Sequence, residues 1–176
     1  MKNFRVLVAC EESQAITKAF RKLGVEAYSC DLLPCSGGHP EYHIQGDALA
    51  EAYSGKYDLM MAHPPCTYLA VSGARWLHNK DGTPNLERYI NQHKALEFVK
   101  KLMDAPIEHI AVENPVSVIS TKIRPPEQII HPYWFGDSAS KRTCLWLKNL
   151  PLIEPTNMVN PGEYYEWIDK NGKKKR

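Results

Sequence analysis

The stretch FRVLVACEESQAITKAFRKLGVEAYSCD, residues 4–31, decides the fold class of this chain. Its first six residues are apolar except for Arg5, which is the composition of a strand buried on both faces, as in a parallel sheet. Across 13–23, Ala15, Ile16, Ala19, Phe20 and Leu23 return at three- and four-residue spacing. That spacing predicts a helix with Ser13 as its cap and Gly24 at its end. Residues 25–30 are again strand-like and are closed by Asp31. Strand, helix and strand in this order define a βαβ unit and an α/β sheet.

The alternation continues outward. Residues 32–43, rich in Pro, Gly, Ser and His, read as an irregular loop, followed by Gly46-Asp47 and a short Ala/Leu-rich helical turn. Residues 57–62 (YDLMMA) predict a third strand that delivers His63-Pro64-Pro65-Cys66. A strong helix is expected over 86–103, with Tyr89, Ile90, His93, Leu96, Val99 and Leu102 on one face. Residues 107–112 predict a strand ending at Glu113, then a short helical stretch and a Pro-rich connection; 142–147 (RTCLWL) predict another strand. The expected architecture is a mostly parallel central sheet with helices on both faces, over 1–150. A C-terminal extension, 151–176, is expected to wrap the outside.

With 176 residues, 43% of them hydrophobic, the chain can bury an ordinary core. Its net charge of +2 is too mild to declare a nucleic-acid binder, and the basic residues 172–176 read as a solvated end. Nothing near Met1 reads as a signal peptide and no segment approaches a membrane span, so a cytoplasmic location is expected. Five cysteines, Cys10, Cys30, Cys35, Cys66 and Cys144, are an odd number without secretory context, which makes reduced thiols the default.

In open α/β sheets ligands bind beyond the carboxyl ends of the strands. Asp31, Asp47, Cys66 and Glu113 all fall there, so one cleft is expected to collect them. Two prolines stiffen the approach to Cys66 and display its thiol at the sheet edge; the competing reading is a buried structural cysteine. Glu113 reads as a cleft carboxylate or as a cap for the next turn, a role Asn114 fills equally well. Cys30, Cys35, His39 and His43 have ligand types that suit tetrahedral zinc. Against zinc stand the short spacer and the buried strand around Cys30, so no metal is expected. Among the aromatics, Tyr133-Trp134-Phe135 are expected to cover the sheet, while Tyr164-Tyr165 and Trp167 are candidates for single-strand or partner binding.

These residues carry a resemblance. The chain is similar to the catalytic half of DNA cytosine-C5 methyltransferases, and more narrowly to the short proteins of that type carried by bacteriophages. Pro65-Cys66 matches the family's nucleophile motif and Glu113-Asn114 its Glu-Asn motif, in the family's order. Gly73 and Arg75 match the glycine seven residues after the cysteine and the arginine two further on. Asp31 resembles the acid that binds the cofactor ribose, and Gly46-Asp47 the Gly-Asp that meets its adenine. Arg142 stands for the last Arg of a Gln-x-Arg-x-Arg motif whose other places hold Ser138 and Ser140. Amino-group methyltransferases place an acid, Asn or Ser before Pro-Pro-aromatic, and His63-Pro64-Pro65-Cys66 departs from that at both ends.

The resemblance implies a Rossmann-like methyltransferase fold, S-adenosylmethionine as cofactor, and cytosine in DNA or in a nucleotide as substrate. Cys66, Glu113 and Arg142 would be catalytic; Glu12, Asp31, Asp47 and Pro64 would bind the cofactor; Pro65, Gly73, Arg75 and Asn114 would bind substrate. The family's glycine-rich turn is replaced by Cys10-Glu11-Glu12-Ser13-Gln14-Ala15, which contains no glycine. The family's target-recognition region has no counterpart in these residues, which implies low sequence specificity, a mononucleotide substrate, or a protein partner that supplies recognition. A binding protein that keeps the fold without methyl transfer is the alternative.

Overall fold

Residues 4–31 form the strand–helix–strand unit that their pattern predicts. The computed structural model describes residues 3–162, with the backbone of 167–168 and 174–175. Strand β1 (Arg5–Ala9) runs parallel to β2 (Glu26–Asp31), and helix α1 (Ala15–Lys22) connects them. There follow β3 (His43–Gln45), α2 (Ala48–Ala52), β4 (Leu59–Ala62), α3 (Leu86–Met103), β5 (His109–Pro115), α4 (Ile119–Lys122), β6 (Gln128–Ile130) and β7 (Thr143–Lys148).

The sheet order is β3-β2-β1-β4-β5-β7-β6, with β7 antiparallel to both of its neighbours and the other strands parallel. Trp167–Ile168 and Lys174–Lys175 form a separate two-stranded ladder. The expected binding roles of Tyr164, Tyr165 and the Trp167 side chain lie outside the described residues.

Strand alternation sends side chains to two covered faces. Leu7, Ala9, Met60, Ala62, Ile110, Val112 and Trp146 pack with Val99, Leu102 and Ile119 from the helices on one face. On the other, Ile16 and Phe20 of α1 cover Val6, Val8 and Ala27. Each fully buried Val, Leu or Ile contributes roughly 1.5–3 kcal/mol relative to exposure, so this two-sided burial carries the fold. The Trp146 indole, buried deep in the larger cluster, satisfies its N–H by donating to the Arg124 carbonyl at 2.8 Å.

The structure corrects several local expectations. Two strands of three residues, β3 and β6, lie where the sequence reads as loop. Strand β5 does not stop at Val112: Glu113, Asn114 and Pro115 pair with Leu145, Cys144 and Thr143 of β7, so Glu113 sits within the strand. Helix α3 has the expected limits, but only its second half is core. Leu86, Tyr89, Ile90 and His93 are exposed, and the first half is held instead to the loop after Cys66, where Arg88 and Gln92 bond the Thr67 and Tyr68 carbonyls. Tyr133 and Trp134 are partly exposed and accept backbone bonds from Thr156, Asn157 and Val159, so they tether the following segment rather than cover the sheet.

Candidate active site

All the parallel strands end on one edge, and the strand order reverses between β1 and β4, where open α/β sheets bind ligands. A cavity of about 390 Å³ opens there. Cys10 after β1, Asp31 and Leu32 at the end of β2, Gly46 and Asp47 after β3, and Pro64 and Pro65 after β4 line it. Tyr68 and the α3 residues Asn91, Lys94, Ala95 and Phe98 complete the wall. Of the four residues expected to share one cleft, Asp31 and Asp47 line this cavity together with Pro64 and Pro65, whereas Cys66 and Glu113 are not among its lining residues. The α3 residues were not singled out from sequence, where they read as surface or core positions of a helix.

The two carboxylates also shape the local backbone. Asp31 accepts from the Leu33 amide at 2.9 Å, turning the chain after β2, and Asp47 accepts from the Leu49 amide at 2.9 Å as the N-cap of α2. Apolar walls with two acids at the rim suit an adenosyl group, whose ring needs a dry surface and whose hydroxyl and amino groups need acceptors.

The glycine-free turn keeps a glycine-like shape. Cys10 and Gln14 adopt φ of 61° and 57°, the left-handed region that costs a non-glycine residue roughly 1–2 kcal/mol. Compensating bonds surround both positions. Glu11, buried, accepts from the Ile16 amide at 2.6 Å, the Thr17 amide at 3.3 Å and the Thr17 hydroxyl at 2.7 Å. A carboxylate thus occupies the amide end of α1 and takes the Ile16 and Thr17 amides, while Ser13, the expected cap, accepts from the Ala15 amide at 3.5 Å.

Gln14, fully buried, donates to the His39 carbonyl at 2.7 Å and accepts from the His39 amide at 3.0 Å. This clasp holds the 32–43 loop against α1. Gly37 makes the clasp possible, since a Cβ there would meet the Ser13 carbonyl at 2.4 Å and Gln14 Cβ at 2.6 Å. Glu12 lies apart from the main cavity, on a smaller one of about 250 Å³ lined also by Cys10, Glu11, Ser13 and His63. Cys10 borders both cavities, and burial together with the nearby Asp31 charge pushes its thiol up to about 12.

The Pro-Pro-Cys loop and the Glu-Asn strand are bound together. Asn114, buried, donates from Nδ2 to the Pro64 carbonyl at 2.8 Å. His63 Nδ1 and Glu113 Oε2 lie 3.2 Å apart. Further along, Val71 donates to the Val116 carbonyl and Val118 to the Leu69 carbonyl, at 3.2 and 2.9 Å. Cys66 is exposed between Pro65 and Tyr68, and its own carbonyl accepts from the Leu69 and Ala70 amides. The competing reading of a buried structural cysteine is excluded. His63 carries no assigned role in the sequence reading, although its place directly before Pro64 is a visible signal.

Gly73 and Arg75 lie on a 3-10 stretch, Val71–Leu77, that continues from this loop. Gly73 faces the Arg88 guanidinium, and Arg75 is exposed with its guanidinium 4.6 Å from the Trp76 ring centroid. Arg142 is exposed just before β7; burial raises the Cys144 thiol and the Arg142 charge opposes that rise. Of the four residues weighed for zinc, Cys30 is buried in β2, His39 Nδ1 lies 3.0 Å from Glu41, and both His43 nitrogens are engaged, by Ser29 and by the Leu33 carbonyl. Among the described residues no cluster of three metal-ligating side chains occurs, and no helix is long and apolar enough to cross a membrane.

No family model and no curated protein matches the sequence. Among solved structures the chain is similar to a proposed DNA modification methyltransferase encoded within a prophage of E. coli, with a TM-score of 0.53 and 9% identity. The match covers 90% of this chain and 52% of the other, so the chain spans about half the length of that protein. At this identity the likeness is one of fold. The architecture is a Rossmann-like α/β fold of the methyltransferase type.

Proposed function

We propose that the chain is a cytosine-C5 methyltransferase-like enzyme acting on DNA or a cytosine nucleotide, with S-adenosylmethionine as methyl donor. The observation that carries this reading is the fastening of the Cys66 loop to the Glu113-Asn114 strand, beside a cavity bearing two rim carboxylates. Asp31 and Asp47 would hold the donor's ribose hydroxyls and adenine, with Pro64, Leu32 and Phe98 as apolar walls and Glu12 toward its amino group. When bound, the donor supplies an electrophilic methyl group.

The chain's own groups make the ring accept it. The Cys66 thiolate adds to C6 of cytosine, forming an S–C6 bond and moving the C5=C6 π electrons toward C5. Glu113 protonates or hydrogen-bonds N3 and so draws charge into the ring. After C5 is methylated a base takes the C5 proton, the C5=C6 bond re-forms and the thiolate leaves. Pro65 and Asn114 fix the nucleophile loop, Arg142 adds a cation just before the neighbouring strand β7, and Gly73 and Arg75 would border the substrate side.

Calorimetry with S-adenosylmethionine, then transfer of labelled methyl to DNA and to dCMP, tests the proposal. Binding with transfer, and a covalent adduct on 5-fluorocytosine substrate that vanishes in Cys66→Ser, are expected. Folded protein that neither binds the donor nor transfers methyl overturns it and leaves a cofactor-free binding protein.

A further inference from the structure

On the other side of Tyr68 lies a second cleft, of about 400 Å³, lined by Tyr68, Trp76, Asn85, Glu87, Arg88 and Asn91. Tyr68 and Asn91 line the first cavity as well, so the two clefts share a wall two residues from Cys66. We infer that this cleft seats an unpaired base next to the reacting one, so that the substrate is a single-stranded polynucleotide.

Three observations point to that ligand. The first is the aromatic surface. Trp76 is 53% exposed and Tyr68 forms the wall. Large aromatic faces left open to water at a cleft are stacking surfaces for bases, and each stacked base adds substantially to affinity. The second is charge. Arg75 lies 4.6 Å from the Trp76 ring and Arg88 5.1 Å from that of Tyr68, Lys80 is exposed on the same stretch, and Lys94 stands on the neighbouring cavity wall; Asp81 and Glu87 are the acids within residues 75–94. Cations interleaved with rings match alternating phosphates and bases. The third is the lining: the Asn91 amide, the Asn85 Nδ2 group, whose oxygen caps α3, and the Glu87 carboxylate offer donors and acceptors for a base edge.

Base pairing decides between single strand and duplex. In a duplex both faces of an interior base are covered by its neighbours, so a ring wall such as Tyr68 with Trp76 is reachable only by a base that has left the stack. Tyr68 of the cleft follows Cys66 by two residues, and Arg88 and Gln92 hold the loop between them by bonding the Thr67 and Tyr68 carbonyls. The inference rests on the proposed reading only for Cys66 as the reacting group; the binding itself needs neither thiol chemistry nor methyl donor.

Fluorescence anisotropy without methyl donor tests it, using labelled 12-nucleotide single-stranded DNA and RNA, the corresponding DNA duplex, and dCMP as competitor. Tighter binding of a single strand than of the duplex is expected, with weak competition by dCMP. Trp76→Ala should weaken single-strand binding about 5- to 100-fold, and Trp76→Phe should restore most of it. Equal or tighter binding of the duplex, or unchanged affinity in Trp76→Ala, overturns the inference. Trp76-dependent binding without methyl transfer would overturn the proposed reaction while leaving this inference standing.

Discussion

Asn114 donates across 2.8 Å to the carbonyl of Pro64, fifty residues earlier in the chain, and both groups are shut away from water. This bond fixes the height of the Cys66 loop relative to the strand that carries Glu113. An unpaired buried carbonyl costs the full loss of its hydration, roughly 1–3 kcal/mol. Asn114→Ala is therefore expected to lower stability by that amount in urea denaturation. It should also slow Cys66-dependent adduct formation, whereas Thr121→Ala, an exposed change on α4, should leave the rate unaltered.

Glu11 caps α1 with a carboxylate that takes two amides and a hydroxyl. Glu11→Ala should cost about 1–2 kcal/mol, and Glu11→Gln less, because one amide oxygen still accepts from the first turn. Equal losses in the two variants, read by thermal or urea unfolding, would contradict a capping role.

Gly37 touches the backbone of Ser13, which has no rotamer by which to yield. Gly37→Ala should destabilise the chain by about 1–3 kcal/mol and raise hydrogen exchange across 32–43 as the Gln14 clasp opens. Gly46→Ala is the control: a Cβ there meets nothing within 4 Å, and stability should hold within about 0.5 kcal/mol.

Alkaline pH should weaken the fold. Burial raises the thiol of Cys10 from 9.0 to about 12 and that of Cys30 from 9.0 to about 11. Between the ordinary and the raised values the unfolded chain has released protons that the folded chain still holds. Stability is thus intact below pH 9 and falls as pH rises toward 11–12, by up to about 1.4 kcal/mol per pH unit for each thiol. Tyr57, also raised by burial and by its bond to Glu51, adds to the loss at the upper end. Denaturation series in Cys30→Ala should show a shallower alkaline slope than the parent.

The strands β1, β2, β4 and β7 and the helix α3 were legible because each carries a run or period long enough to reveal its environment. Strands β3 and β6 have three residues each, too few for alternation to register. Glu113-Asn114-Pro115 reads as a turn from its polarity and its proline, yet it continues β5 because β7 supplies a partner from thirty residues later. Periodicity in α3 reports an apolar stripe but not how much of it is covered, so Tyr89 and Ile90, read as part of one packed face, are exposed. Cys66 and Glu113 were legible as residues following apolar strands, and the bonds from His63 and Asn114 tie their two segments together. The turn at Cys10 and Gln14 was not legible, because residue type suggests a backbone angle without dictating it, and buried hydrogen bonds hold both residues in a glycine's conformation.

Tyr68 and Asn91 make the two clefts neighbours with a party wall. Filling one compartment therefore acts on two side chains that also face the other. Linkage requires that influence to be equal in both directions. The affinity of a strand for one room, titrated with the other empty and then filled, measures the stiffness of two side chains before any bond is made or broken.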